Sequence, residues 1–101
     1  MIYRTVLIKL KEKYATEDKR KEIATYSESL LKSLPGVVRV RVGLPADDKT
    51  RADWDLHLSL VFESIDDVEP YRVHPDHRTY VDKYLKPKMD HIRAWNFVEQ
   101  P

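Results

Sequence analysis

An α+β domain in the order strand, helix, strand, strand, helix pair, strand is what the sequence predicts, and three observations carry that prediction. Residues 2–10 and 53–62 alternate with the period of a strand and are apolar along at least one row. Between them, apolar residues recur at helical spacing and stop at Leu34-Pro35-Gly36. After them, Pro70 and Pro75 divide a second helical region in two.

In the first strand Ile2, Val6, Ile8 and Leu10 share a row with Arg4, while Tyr3, Thr5, Leu7 and Lys9 form the other. Thr16 offers an N-cap hydroxyl, Glu17 and Asp18 suit the positive end of a helix, and Ile23, Ala24, Tyr26, Leu30, Leu31 and Leu34 follow at helical spacing. Val38, Val40 and Val42 alternate with Val37, Arg39 and Arg41 to make a second strand ending at Gly43. Residues 44–52 are polar turn material and are expected to form a mobile loop. In the third strand Trp54, Leu56, Leu58, Leu60 and Phe62 form an apolar row, with Asp55, His57, Ser59 and Val61 on the other face. Ser64 and Asp67 open a short helix whose length Pro70 limits. A further helix carries Tyr80, Val81, Tyr84 and Leu85 to about residue 87, and residues 91–98 supply the last strand.

Residues 1–98 thus read as a single domain, with 99–101 as a C-terminal tail. The strands close as a four-stranded antiparallel sheet with helices on one face. Its other face, carrying Tyr3, Leu7, Val37, Val61 and Trp95, is left uncovered. Soluble proteins rarely expose such a surface, so the expected partner is a second copy packed sheet to sheet in a homodimer.

Composition narrows the function. Eighteen basic against 17 acidic side chains leave a net charge of +1, which creates no global field for nucleic acid or anionic lipid. The third strand, WDLHLSLVF, lacks the basic, glycine and paired aromatic pattern of RNA-binding sheets, so no nucleic acid is expected as a partner. The absence of cysteine removes thiol nucleophiles and thiolate metal sites and fits a reducing compartment. MIYRTVLIKLK is too short and too alternating for a signal peptide or membrane span, so a cytoplasmic location without membrane attachment is expected. Two glycines leave no phosphate-cradling loop, and no cofactor is expected.

The chemistry concentrates in Tyr71-Arg72-Val73-His74-Pro75-Asp76-His77, which holds two of the four histidines. Pro75 restricts His74 to extended geometry and suits the first turn of a helix, so His74 should stand at a helix entrance and His77 in its first turn. There the positive helix end and an apolar pocket favour neutral imidazole. Tyr71, on the far side of the turn, approaches the same space. The plainer reading is a proline corner whose histidines satisfy capping or buried hydrogen bonds. His74 and His77 lack a convincing third ligand beyond Asp76 or His91, so no metal site is expected. Tyr80 and Tyr84, one helical turn apart, either line a pocket or belong to the core.

IYRTVLIKLK at the start, LPGV after the long helix, FES after the third strand, and YRVHPDH before an aromatic helix and a closing aromatic strand occur in that order between Met1 and Phe97. Together they make the chain resemble the stress-responsive dimeric α+β barrel family, Dabb. The resemblance implies a ferredoxin-like protomer and a homodimer whose two sheets form a barrel. The family's best-understood chemistry is that of a plant polyketide cyclase with a Tyr-x-x-His-Pro-x-His motif, onto which Tyr71 and His77 fall. The resemblance implies that His77 is a general base removing a proton α to a carbonyl and that Tyr71 polarises the oxygen, giving aldol-type cyclisation or isomerisation. Where that cyclase has a histidine in its first strand this chain has Arg4, whose fixed charge suits an anionic small molecule such as a carboxylate. Arg4, Val6, Ile8, Leu58, His74 and Tyr80 are expected to line the substrate pocket. The competing reading is a non-catalytic, stress-related ligand-binding or assembly protein. A ligand-sized, partly polar cavity beside His77 would favour chemistry or binding, and a filled interior the structural role.

Overall fold

The computed structural model describes residues 1–101. The alternating opening segment becomes strand β1, Ile2–Leu10, followed by a single 3-10 turn at Glu12–Tyr14. Helix α1, Glu17–Leu31, starts where Thr16 accepts the Lys19 N–H on its hydroxyl at 3.3 Å, a cap of the kind worth about 1 kcal/mol. It stops three residues before Leu34, and Gly36, at a φ of +87°, turns the chain toward strand β2, Arg39–Gly43. A Cβ at Gly36 would meet nothing nearer than 3.6 Å, so the left-handed backbone rather than crowding calls for glycine there.

Helix α2, Asp48–Asp53, precedes strand β3, Leu56–Phe62. A 3-10 turn at Ile65–Asp67 leads into helix α3, Val68–Val73, and helix α4, Pro75–Thr79, continues without a break as a π-helical segment, Tyr80–Leu85. Strand β4, Met89–Val98, closes the chain. The sheet order is β2-β3-β1-β4 with every neighbour antiparallel, which is the ferredoxin-like α+β fold. The core lies on one sheet face, where Val6, Ile8, Leu10, Val40, Leu56, Leu58, Leu60 and Phe62 pack against Ile23 and Leu31 of α1, with Val68, Tyr71, Tyr80 and Leu85 alongside.

The other face carries Tyr3, Thr5, Leu7 and Lys9 of β1, and α2 reaches only its Lys9 end, where Lys9 Nζ donates to the Arg51 carbonyl at 3.1 Å. Across the ladder these meet Val61, Ser59 and His57 of β3 and Phe97, Trp95, Arg93 and His91 of β4. Trp95 and Phe97 remain 46% and 57% exposed. No helix is long and apolar enough to cross a membrane.

Several local expectations are corrected. Val37 joins the core rather than the open face, and Val38 is exposed, because the chain is still leaving the Gly36 turn and strand alternation begins only at Arg39. Val61 belongs to the open face but is buried within the single chain, directly opposite Tyr3 and Arg39. The supposed loop 44–52 contains α2, capped by Asp47, whose carboxylate accepts the Thr50 N–H at 2.8 Å. Pro70 sits in the first turn of α3, where its missing N–H costs nothing, and the helix runs on to Val73. Trp54 and Asp55 do not continue the alternation of β3. Trp54 ends α2 and meets His91 edge-on at 5.3 Å, while Asp55 is fully buried. The inward carboxylate is tolerated because three donors surround it: the Leu10 N–H at 2.8 Å, Arg20 Nε at 2.9 Å and Lys9 Nζ at 3.6 Å.

Candidate functional site

The corner between α3 and α4 is built by its own sequence. His74 takes extended backbone angles, φ −57° and ψ 135°, ahead of Pro75, and its Nδ1 accepts the Asp76 N–H at 3.1 Å. The corner folds His77 back under α3, where its Nδ1 lies 3.0 Å from the Arg72 carbonyl oxygen. A carbonyl only accepts, so Nδ1–H is the donor, and in the neutral ring Nε2 is left with a free lone pair. Burial, reinforced by the Arg4, Arg78 and Arg72 charges, holds the His77 pKa below the ordinary 6.5 against the opposing effect of the carbonyl.

Tyr71, in the last turn of α3, stacks at a tilt on His77 with ring centroids 4.4 Å apart and meets Phe62 edge-on at 5.1 Å. The residue is 3% exposed, and burial pushes its pKa up to about 12 although the Arg4 charge pulls the other way. No hydrogen bond within the chain engages the hydroxyl, and since no fully buried polar atom lacks a partner, that hydroxyl keeps an accessible edge.

Arg4 is on the helix-covered row of β1, opposite Leu60 on one side and Asn96 on the other. It is partly buried, and Nη1 donates to Asn96 Oδ1 at 2.9 Å. Burial lowers its pKa; the neighbouring Tyr71 and Glu69 raise it and Arg72 lowers it further. An open cleft of about 530 Å³ is lined by Arg4, Asn96, Ala94, Glu69, Arg72, Val68 and Ile65. Arg72 Nη1 donates to Glu69 at 2.7 Å across one turn of α3.

The Arg4 charge thus reaches both Tyr71 and His77, although neither of those side chains lines the Arg4 cleft. Tyr80 has its ring 6.4 Å from His77, but is buried, and its hydroxyl donates to Ser27 Oγ at 2.6 Å. Burial raises the Tyr80 pKa well above its ordinary value. Val6, Ile8 and Leu58 are core residues, 4%, 0% and 3% exposed, and do not line the Arg4 cleft. His74 serves the helix cap. No group of three or more His, Asp or Glu side chains is placed to hold a metal ion.

Sequence reasoning missed Asn96, Glu69, Arg72 and Ser27. Glu69 and Arg72 had a signal, opposite charges three residues apart on one helix. Ser27 lies four residues from both Ile23 and Leu31, within their buried stripe. Asn96 had none, because the register of β4 against β1 is needed to set it opposite Arg4.

Residues 2–99 match the family model of the Stress responsive A/B Barrel Domain, Dabb. The chain belongs to the Dabb family. Among solved structures, this Dabb chain is similar to a Dabb family protein with a ferredoxin-like fold from Mesorhizobium loti, at a TM-score of 0.81 and 21% identity over 99% of this chain and 97% of that one. It is similar to a dimeric ferredoxin-like protein of unknown function from Thermobifida fusca, at 0.78 and 19% over 97% and 90%. It is also similar to a hydroxynitrile lyase from Passiflora edulis, at 0.78 and 13% over 98% and 93%. Identities this low establish a shared fold. No curated protein matches the chain by sequence.

Proposed function

We propose that this Dabb chain is a homodimeric small-molecule enzyme in which His77 and Tyr71 catalyse proton abstraction α to a carbonyl. The observation that carries the reading is the His77 ring, held neutral by its surroundings and tautomerically fixed by the Arg72 carbonyl, 4.4 Å from a tyrosine whose hydroxyl has no partner in the chain. Nε2 takes the proton, the C–H electron pair moves into the enolate, and its oxygen accepts a hydrogen bond from Tyr71 with the Arg4 charge nearby. The enolate then attacks a second carbonyl of the same molecule, closing a ring whose new alkoxide takes the proton from the His77 imidazolium, or, where it is conjugated with a C=C bond, takes that proton back at the far carbon of the conjugated system.

Solvent deuterium exchange next to the ketone of hexan-2-one, followed by proton NMR, tests this. Catalysed exchange that disappears in His77→Ala while the variant keeps its fold and oligomeric state is the expected result. Exchange at the buffer rate, or undiminished in His77→Ala, would remove the general-base assignment.

One observation favours a second, non-catalytic reading, in which the protein binds a ligand or acts as an assembly unit: Val6, Ile8 and Leu58 fill the space between sheet and helices instead of opening it. Ligand binding without exchange distinguishes this reading. The dimer rests on the uncovered sheet face and on the dimeric state described for the Thermobifida fusca protein. Light scattering should give twice the 12.0 kDa chain mass across dilution, and Leu7→Asp, in the middle of that face, should give monomer.

A further inference from the structure

We propose that Arg4 and Arg72 form a carboxylate-recognition subsite in the cleft they line, and that Glu69 is the internal anion a ligand carboxylate must compete with. The inference rests on the proton-abstraction reading only in placing the ligand's reactive carbon at His77; the recognition itself needs neither His77 nor Tyr71.

Both guanidinium groups line the same cleft of about 530 Å³, together with a single carboxylate, Glu69. Arg4 has only Asn96 as a hydrogen-bonding partner, a neutral amide that orients one edge of the fork and leaves its charge unbalanced. Arg72 has only Glu69. Two cations and one anion leave the cleft with one positive charge in excess. Arg4 is partly screened from solvent, which strengthens its pull on an anion relative to a surface arginine. A planar carboxylate matches the free edge of a guanidinium in a two-point contact, which a primary amide of the same shape does not reproduce. Exposed Glu69 is held by one ion pair on its own helix, an interaction weak enough for an incoming carboxylate to displace. Asn96 acts through Arg4 as a positioning residue.

The test is binding, measured by NMR titration of the intact protein with hexanoate and phenylacetate and with the matching amides, hexanamide and phenylacetamide. Carboxylates are expected to bind about tenfold more tightly than amides, with the difference shrinking as salt rises. Glu69→Gln should tighten carboxylate binding several-fold without changing amide binding. Arg4→Met should erase the preference, and Asn96→Leu should reduce it while leaving the fold intact. Equal affinity for acids and amides, no binding of either, or carboxylate affinity unchanged in Glu69→Gln would overturn the proposal. Because these probes need no turnover, the subsite and the general base fail separately. Hexanoate binding without exchange on hexan-2-one spares the subsite, and the reverse spares His77.

Discussion

The two ends of β1 each carry a cluster of polar and charged side chains, and the clusters meet the cost of burial in opposite ways. At the Leu10 end the Asp55 carboxylate is wholly enclosed and satisfied by Arg20, Lys9 and the Leu10 N–H, so it ties α1, β1 and the start of β3 into one closed unit. At the Arg4 end, Tyr71 is nearly as buried, but its hydroxyl is unengaged, Nε2 of His77 has no partner, and Arg4 makes one bond to a neutral amide. A closed network of buried charge is a structural device. One left open beside a cleft keeps free the groups that the proposed ligand would engage.

That difference predicts opposite mutational responses, and the largest belongs to Asp55. Asp55→Ala leaves Arg20 and the Leu10 N–H without their acceptor and should cost about 3–5 kcal/mol in chemical denaturation. A loss below about 1 kcal/mol would mean that the cluster is not the lock described. Tyr71→Phe keeps the ring contacts with Phe62 and His77 and removes a hydroxyl that bonds to nothing in the chain. Its stability should change by no more than about 0.5 kcal/mol, whereas exchange on hexan-2-one should fall by about two orders of magnitude. A large stability loss would place the hydroxyl in an unseen structural bond and erase the contrast.

The fold was legible because its evidence is periodic. Leu56, Leu58, Leu60 and Phe62 alternate through β3, and Ile23 and Leu31 keep helical phase in α1, so element order and sheet topology followed from spacing. What escaped was aperiodic or dependent on register. Asp55 turns inward because donors from α1 and β1 meet it, a coincidence of three segments that alternation misreads as an outward residue. Residues 44–52 look like a loop, yet Asp47 caps a helical turn there. At the proposed site, the sequence singles out Tyr71, His77 and Arg4 through a proline-anchored motif and a charged break in an apolar row. Asn96 was not, since only the pairing of β1 with β4 sets it against Arg4.

A smaller effect sharpens the same contrast. The Tyr71 pKa is raised to about 12 in the folded chain against 10.0 unfolded, so the folded state holds its proton more tightly. The associated stability is complete below pH 10 and is lost as pH rises through about 12. The difference in stability between wild type and Tyr71→Phe should therefore be flat from neutral pH to 10 and move against wild type above it. A difference independent of pH would show that the hydroxyl is solvated.

The claim that the Arg4 end is an open, reactive cluster is tested most directly by NMR titration of His77. Its folded pKa is lowered by burial and by three arginine charges, so neutral imidazole predominates at pH 7, and the fold should lose stability as pH falls through that depressed value. The midpoint should lie below 6.5 and rise in Arg4→Met, which removes one of the repelling charges. A midpoint at or above 6.5, or one unmoved by Arg4→Met, would contradict the account and leave His77 as a corner residue of the fold.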